Sequence, residues 1–97
     1  MLDDFFIKKE KKMKEKILDI LKSIQPANDF EGSKDFIEDG LLDSFDVVQL
    51  VSELENTFNI TISALDILAE NFNSVQAIEK LVNSYLKIKG EYYGFTD

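Results

Sequence analysis

Cysteine, histidine and arginine are all missing from this 97-residue chain, which has only four glycines and one proline. Without cysteine there is no disulfide framework, no thiol catalysis and no cysteine metal site. Without histidine, the commonest general base and metal ligand is gone as well. No apolar run is long enough to cross a bilayer. The opening "MLDDFFIKKEKKMKEK" starts acidic and turns basic after a very short apolar patch, with no small-residue cleavage site. It does not read as a secretory signal, so a cytoplasmic protein is expected. The acceptor pattern Asn59-Ile60-Thr61 would matter only in an exported chain.

What is present is an ordinary globular composition, 44% apolar and 31% charged. The length suits one domain around a single modest core. Charge is unevenly spread. Residues 1–25 hold seven lysines and five acids, a net of +2, whereas residues 28–84 hold twelve acids against Lys34 and Lys80, a net of −10. So acidic a middle is repelled by nucleic acid and by anionic membrane surfaces. It serves either as a solubilising surface or as a docking face for basic partners.

The hydrophobic pattern predicts an all-α protein. Met13, Ile17, Ile20, Leu21 and Ile24 recur at helical spacing, and Pro26 stops that helix because the residue before a proline avoids helical geometry. Phe5, Phe6 and Ile7 are unusually apolar for a free tail. Residues 26–43, "PANDFEGSKDFIEDGLLD", form a long connection. A loop this long in a small domain is usually functional. Phe30, Phe36, Ile37, Leu41 and Leu42 are expected to pin it to the core, and Gly40 suits a turn of positive φ.

A second helix is expected over 44–58. Val47, Leu50, Val51, Leu54 and Phe58 gather on one side, opposite Gln49, Ser52, Glu53 and Asn56. Phe45 projects among the polar residues, with Val48 and Glu55 at the edge. "NITIS" reads as a short extended link. Ser63-Ala64-Leu65-Asp66 fits a capping box opening a short helix of about two turns that stops near Asn71. Asn73 or Ser74 caps a last helix carrying Val75, Ile78, Leu81, Val82 and Tyr85. A tail, "KGEYYGFTD", follows. The expected architecture is a small four-helix bundle: three longer helices, one short one, and a long loop between helices one and two.

Ser44 stands where that loop meets the second helix. As a nucleophile it would need a base. No histidine exists, the lysines cluster on the first helix, and the adjacent Asp43 and Asp46 are too weak as bases for an alcohol at neutral pH. Asp35, Asp39, Gly40, Asp43 and Asp46 fall at positions 1, 5, 6, 9 and 12 of a calcium-loop template, but Ile37 offers no oxygen at position 3 and position 12 lacks the longer Glu. There is no glycine-rich phosphate loop and no aromatic-basic surface for nucleic acid. On local pattern Asp-Ser at a helix start reads first as an N-cap, serine being a favoured capping residue. The same position also suits a phosphodiester, exposed before free backbone N–H groups and a partial positive charge. The flanking aspartates oppose that field, but a covalent bond does not depend on it.

"GLLDSFDVVQLVSELENTF" resembles the phosphopantetheine attachment region of acyl carrier proteins and peptidyl carrier proteins, whose Asp-Ser-Leu signature stands here as Asp43-Ser44-Phe45. The resemblance spans about residues 13–88, order of elements included, and divides the chain into an N-terminal extension (1–12), a carrier domain (13–88) and a C-terminal tail (89–97). It implies that Ser44 bears 4′-phosphopantetheine, moved from coenzyme A by a phosphopantetheinyl transferase. The terminal thiol of the arm would then carry acyl or aminoacyl groups as thioesters, so that a cofactor supplies the chemistry the chain lacks. It further implies a monomeric, non-enzymatic protein of fatty-acid or secondary-metabolite biosynthesis that meets loading ligases and acyl-transferring enzymes. By the same resemblance Asp43, Phe45, Asp46, Val48, Glu53 and Glu55 contact those partners. Acidic steering around a small apolar anchor suits brief docking with several of them.

The sequence departs from the fatty-acid type at several points. Phe45 replaces leucine, Gln49 stands where glutamate is typical, Ser52 where an apolar contact is common, and Asn59 where glycine is common. "LLDS" with "VQL" looks closer to D-alanyl carrier proteins and other carriers loaded by adenylating ligases. A general acyl carrier is therefore the first reading and a D-alanyl or other aminoacyl carrier the second. From a different class, a helical interaction module could keep the fold without the modification.

Overall fold

The structure is a computed structural model that describes residues 12–89. The apolar patch at Phe5, Phe6 and Ile7 and the tail from Gly90 lie outside the described residues. Helices α1 (Met13–Ile24), α2 (Ser44–Phe58), α3 (Ala69–Phe72) and α4 (Val75–Lys89) form the bundle, with one 3₁₀ turn, Ala64–Asp66, before α3. α1 packs on both α2 and α4, and α3 packs on α4.

Each long helix forms because its apolar residues fall on one stripe that the others cover. α1 buries Ile17, Leu18, Ile20 and Leu21 and exposes Lys14 and Lys22, while Lys16 Nζ lies 5.8 Å from the centroid of the Phe58 ring. α2 buries Leu50, Val51, Leu54 and Phe58, and α4 buries Ile78, Leu81, Val82 and Leu86. α1 ends at Gln25, which leaves helical geometry one residue before Pro26 (φ −133°, ψ 80°). α2 ends on Asn59 in the left-handed region (φ 55°, ψ 52°), a conformation asparagine tolerates better than most non-glycine residues.

The long connection is an ordered part of the core. Phe30, Phe36 and Leu42 are buried, with Ile37 and Leu41 packed against them. The Phe30 and Phe36 rings meet edge to face, centroids 5.1 Å apart at 86°. Burying each ring contributes roughly 1.5–3 kcal/mol, which offsets part of the entropy of ordering the loop. The loop is also tied to the start of α4. The Phe36 N–H donates to the Asn73 carbonyl (2.8 Å), and Asn73 Nδ2 donates to Asp35 Oδ2 (3.3 Å). Ser74 caps α4 by accepting from the Ala77 N–H.

One expectation fails. Residues 63–71 do not form a two-turn helix opened by a capping box. The 3₁₀ turn and α3 are separated by Ile67 and Leu68 in non-helical geometry. Ser63 Oγ does accept from the Leu65 N–H, but Asp66 does not reach back to the Ser63 N–H. Tyr85 takes both places. Its hydroxyl donates to Asp66 Oδ2 (2.5 Å) and accepts from the Ser63 N–H (2.9 Å). A tertiary partner thus replaces the reciprocal half of the box.

Candidate functional site

The site is built at the start of α2. Gly40 turns the chain with φ 74°, after which the Leu41 and Leu42 N–H groups both donate to the Phe36 carbonyl (2.8 and 3.2 Å). Burial of Leu42 fixes the register and leaves Asp43 extended at the helix entrance (φ −107°, ψ −174°). There Asp43 makes the capping box. Its Oδ1 accepts from the Asp46 N–H (2.9 Å), and Asp46 Oδ2 accepts from the Asp43 N–H (3.1 Å). Gln25 Nε2, at the end of α1, donates to both Asp46 oxygens at 3.1 Å.

The cap is therefore Asp43, and the reading of Ser44 as the capping residue does not hold. Ser44 is the first residue inside the helix and is exposed. Among the described residues its hydroxyl has no hydrogen-bond partner. The neighbouring carboxylates point their oxygens at backbone N–H groups and at Gln25, and none is bonded to the hydroxyl. Ser44 is a presented alcohol with no base aimed at it.

Beside it lies an apolar groove of about 340 Å³. Ile37, Leu42, Val47 and Val48 form one wall, Ile67, Leu68 and Ala69 the other, and Asp43 and Ser44 stand at the rim. Hollows of about 370 and 480 Å³ elsewhere are lined by a more polar mixture of side chains. Of these three, the apolar groove borders the free hydroxyl.

Of the residues assigned to partner contact, Phe45 and Val48 are the outward apolar ones, 84% and 65% exposed. Glu53 is half-buried, and its carboxylate makes no hydrogen bond or ion pair among the described residues. Asp43 and Asp46 both serve the cap. Glu55 also has an internal task, its Oε2 accepting from the Ile62 N–H (2.9 Å) to fasten the link after α2. Leu65, Ile67 and Leu68 escaped the sequence reading although they are 85%, 38% and 48% exposed. Their signal was the run "ALDILAE", which reads as one short helix of about two turns that does not form as such. Gln25 gave no local signal, and Tyr85 gave one only for the packing stripe of the last helix, not for its hydroxyl.

The calcium-loop carboxylates are dispersed among other partners. Asp35 Oδ1 accepts from the Ile37 and Glu38 N–H groups, and Asp39 Oδ2 accepts from the Ser33 hydroxyl. No group of three or more metal-ligating side chains converges among the described residues.

Residues 11–82 match the family model described as the phosphopantetheine attachment site. The chain belongs to this family of carrier proteins. It is similar to the D-alanyl carrier protein of Lactococcus lactis subsp. cremoris (strain MG1363), 34% identical over 68 residues, covering 68% of this chain and 86% of the relative. Against the D-alanyl carrier protein of Lactococcus lactis subsp. lactis (strain IL1403) the identity is 32% with the same coverage. No solved structure gives a significant match.

As a carrier protein, the chain is a thioester carrier whose cofactor is covalent 4′-phosphopantetheine. The residues present suit that group: an unengaged exposed hydroxyl for the phosphodiester, and an apolar groove next to it. When attached, the group supplies the thiol this carrier protein lacks. Carrier proteins in general are not catalytic and interact with phosphopantetheinyl transferases and ligases. In this carrier no helix among the described residues is long and apolar enough to cross a membrane.

Proposed function

We propose that Ser44 is the attachment residue. The observation that carries this reading is that Asp43 takes the cap and leaves the Ser44 hydroxyl exposed and unbonded at the rim of the apolar groove. Ser44 Oγ becomes the ester oxygen of a phosphodiester as the nucleotide half of coenzyme A leaves. Its proton passes to a base of the modifying transferase, since this chain aims none at it. The chain itself is a non-enzymatic substrate and shuttle, working in the cytoplasm, where coenzyme A and ATP are available. Phe45, Val48 and Glu53 form the outward docking face for the transferase, for a loading ligase and for acyl-transferring enzymes, with Asp43, Asp46 and Glu55 adding negative charge around it.

For the cargo, a general acyl group is one reading and an aminoacyl group the other. The names of the relatives favour the aminoacyl reading, D-alanyl included, and "LLDS" with "VQL" agrees with it.

Intact mass after incubation with coenzyme A and a broad-specificity phosphopantetheinyl transferase tests the attachment. Wild type gains one phosphopantetheinyl mass and Ser44→Ala gains none. Equal gain in the variant, or no gain in wild type, refutes it. Offering the holo protein an adenylating ligase, ATP and competing amino and fatty acids then separates the two cargo classes.

A further inference from the structure

The wall of the groove that faces α2 has few anchors of its own. No residue from 63 to 71 is buried, although Ile62 and Phe72 at its two ends are. Its hydrogen bonds are nearly all internal. The Asp66 N–H donates to the Ser63 carbonyl, the Leu68 N–H to the Asp66 carbonyl, and Asn71 Nδ2 to the Asp66 carbonyl. Among the described residues, the only hydrogen bonds from this segment to another helix are the two made by the Tyr85 hydroxyl, to Asp66 and to the Ser63 N–H. Directly after Asp66 come Ile67, Leu68 and Ala69, the residues that form the wall.

We propose that Tyr85 is a positioning residue for the groove: by holding Asp66 and Ser63 it sets where Ile67 and Leu68 stand opposite Val47 and Val48, and so how a partner is received at Ser44. Without the hydroxyl, the wall is held only through its buried ends, Ile62 and Phe72, and through α3 on α4, because the segment is broken at Ile67 and Leu68. The ring itself packs against the core and is half-buried, so Tyr85→Phe removes the hydroxyl and keeps the packing. Partial burial and the bond to Asp66 raise the phenol above its ordinary value; at neutral pH a phenol is protonated even without that shift, so the hydroxyl is a donor there.

The inference rests on Ser44 as the attachment site only for its second readout. In the unmodified protein, Tyr85→Phe speeds amide exchange at Ser63 and Asp66 about fivefold to tenfold, the equivalent of a hydrogen bond worth about 1 kcal/mol. Exchange at Ile78 and Val82 in α4 stays unchanged. With the phosphopantetheinyl transferase, KM for the carrier rises severalfold while kcat holds. Asp66→Ala reproduces both effects, and Asp66→Asn, which keeps an acceptor for the hydroxyl, restores most of the loss. Unchanged exchange at 63–71 overturns the latch. A general loss of protection that includes Ile78 also overturns it, since Tyr85 would then support the whole fold. Faster local exchange with an unaltered KM overturns the positioning role. The exchange measurement does not involve modification, so a failure of Ser44→Ala to block the mass gain would sink the attachment reading alone.

Discussion

Gln25 Nε2 donates to both carboxylate oxygens of Asp46 at 3.1 Å, joining the end of α1 to the first turn of α2. Asp46 closes the capping box at the same time, so one carboxylate serves two elements. Gln25→Ala is expected to lower unfolding free energy by about 1 kcal/mol. Asp46→Ala should cost about 2 kcal/mol, because the bond that its carboxylate accepts from the Asp43 N–H is lost as well. The double variant should be no less stable than Asp46→Ala. Denaturant melts of the four proteins measure this coupling, and strictly additive losses would show that the pair does not act together.

Asp43 and Ser44 separate cleanly by stability. Asp43→Ala removes the cap and should cost about 1 kcal/mol, seen as a fall in Tm of about 4–8 °C for a domain of this size. Ser44→Ala should change stability by less than about 0.5 kcal/mol, since the hydroxyl bonds nothing among the described residues. A loss near 1 kcal/mol in Ser44→Ala would return the capping role to the serine.

The acidic residues of α2 should divide in the same way. Phe45→Ala and Glu53→Lys are expected to weaken transfer to partner enzymes severalfold while leaving far-ultraviolet circular dichroism unchanged. Glu55→Ala should instead lower stability by about 1 kcal/mol, because the Ile62 N–H loses its acceptor. Unchanged transfer kinetics in both Phe45→Ala and Glu53→Lys would place the docking face elsewhere.

Tyr85 carries a pH signature of known sign. Its phenol is raised above the ordinary value of about 10, first by partial burial and then by the hydrogen bond to Asp66, the charged group acting on it. A raised folded-state value means the protonated form is favoured on folding. The associated stability is fully present below the unfolded value and is lost as pH climbs through the folded one. Lysines lose charge in the same alkaline range, so the difference between wild type and Tyr85→Phe is the quantity to follow. Their thermal stabilities should converge as pH rises from 9 to about 12. A constant gap across that range would mean the hydroxyl contributes nothing through ionisation.

Periodicity was enough to place α1, α2 and α4, because each helix carries a one-sided apolar stripe that any compact arrangement must bury. Pro26, Gly40 and Ser74 acted locally, through their own φ preference or their own hydroxyl, and were legible for that reason. The anchored loop was legible too, since Phe30, Phe36 and Leu42 had no other place to go than the core.

Choosing Asp43 over Ser44 as the cap was a different matter. Both types cap well, and the choice follows from buried Leu42, which sets the backbone one residue ahead of the helix. The division of the short helix came from Tyr85, 19 residues from Asp66, and the fastening of the first turn of α2 came from Gln25, 21 residues from Asp46. Local preference ranks the candidates for a cap, a turn or a helix. A hydrogen-bond partner brought in from another helix breaks the tie, and no window of neighbouring residues contains it. So the chain's order of residues carried the bundle and put Ser44 at a helix entrance. Three-dimensional packing then freed the hydroxyl and raised the groove beside it.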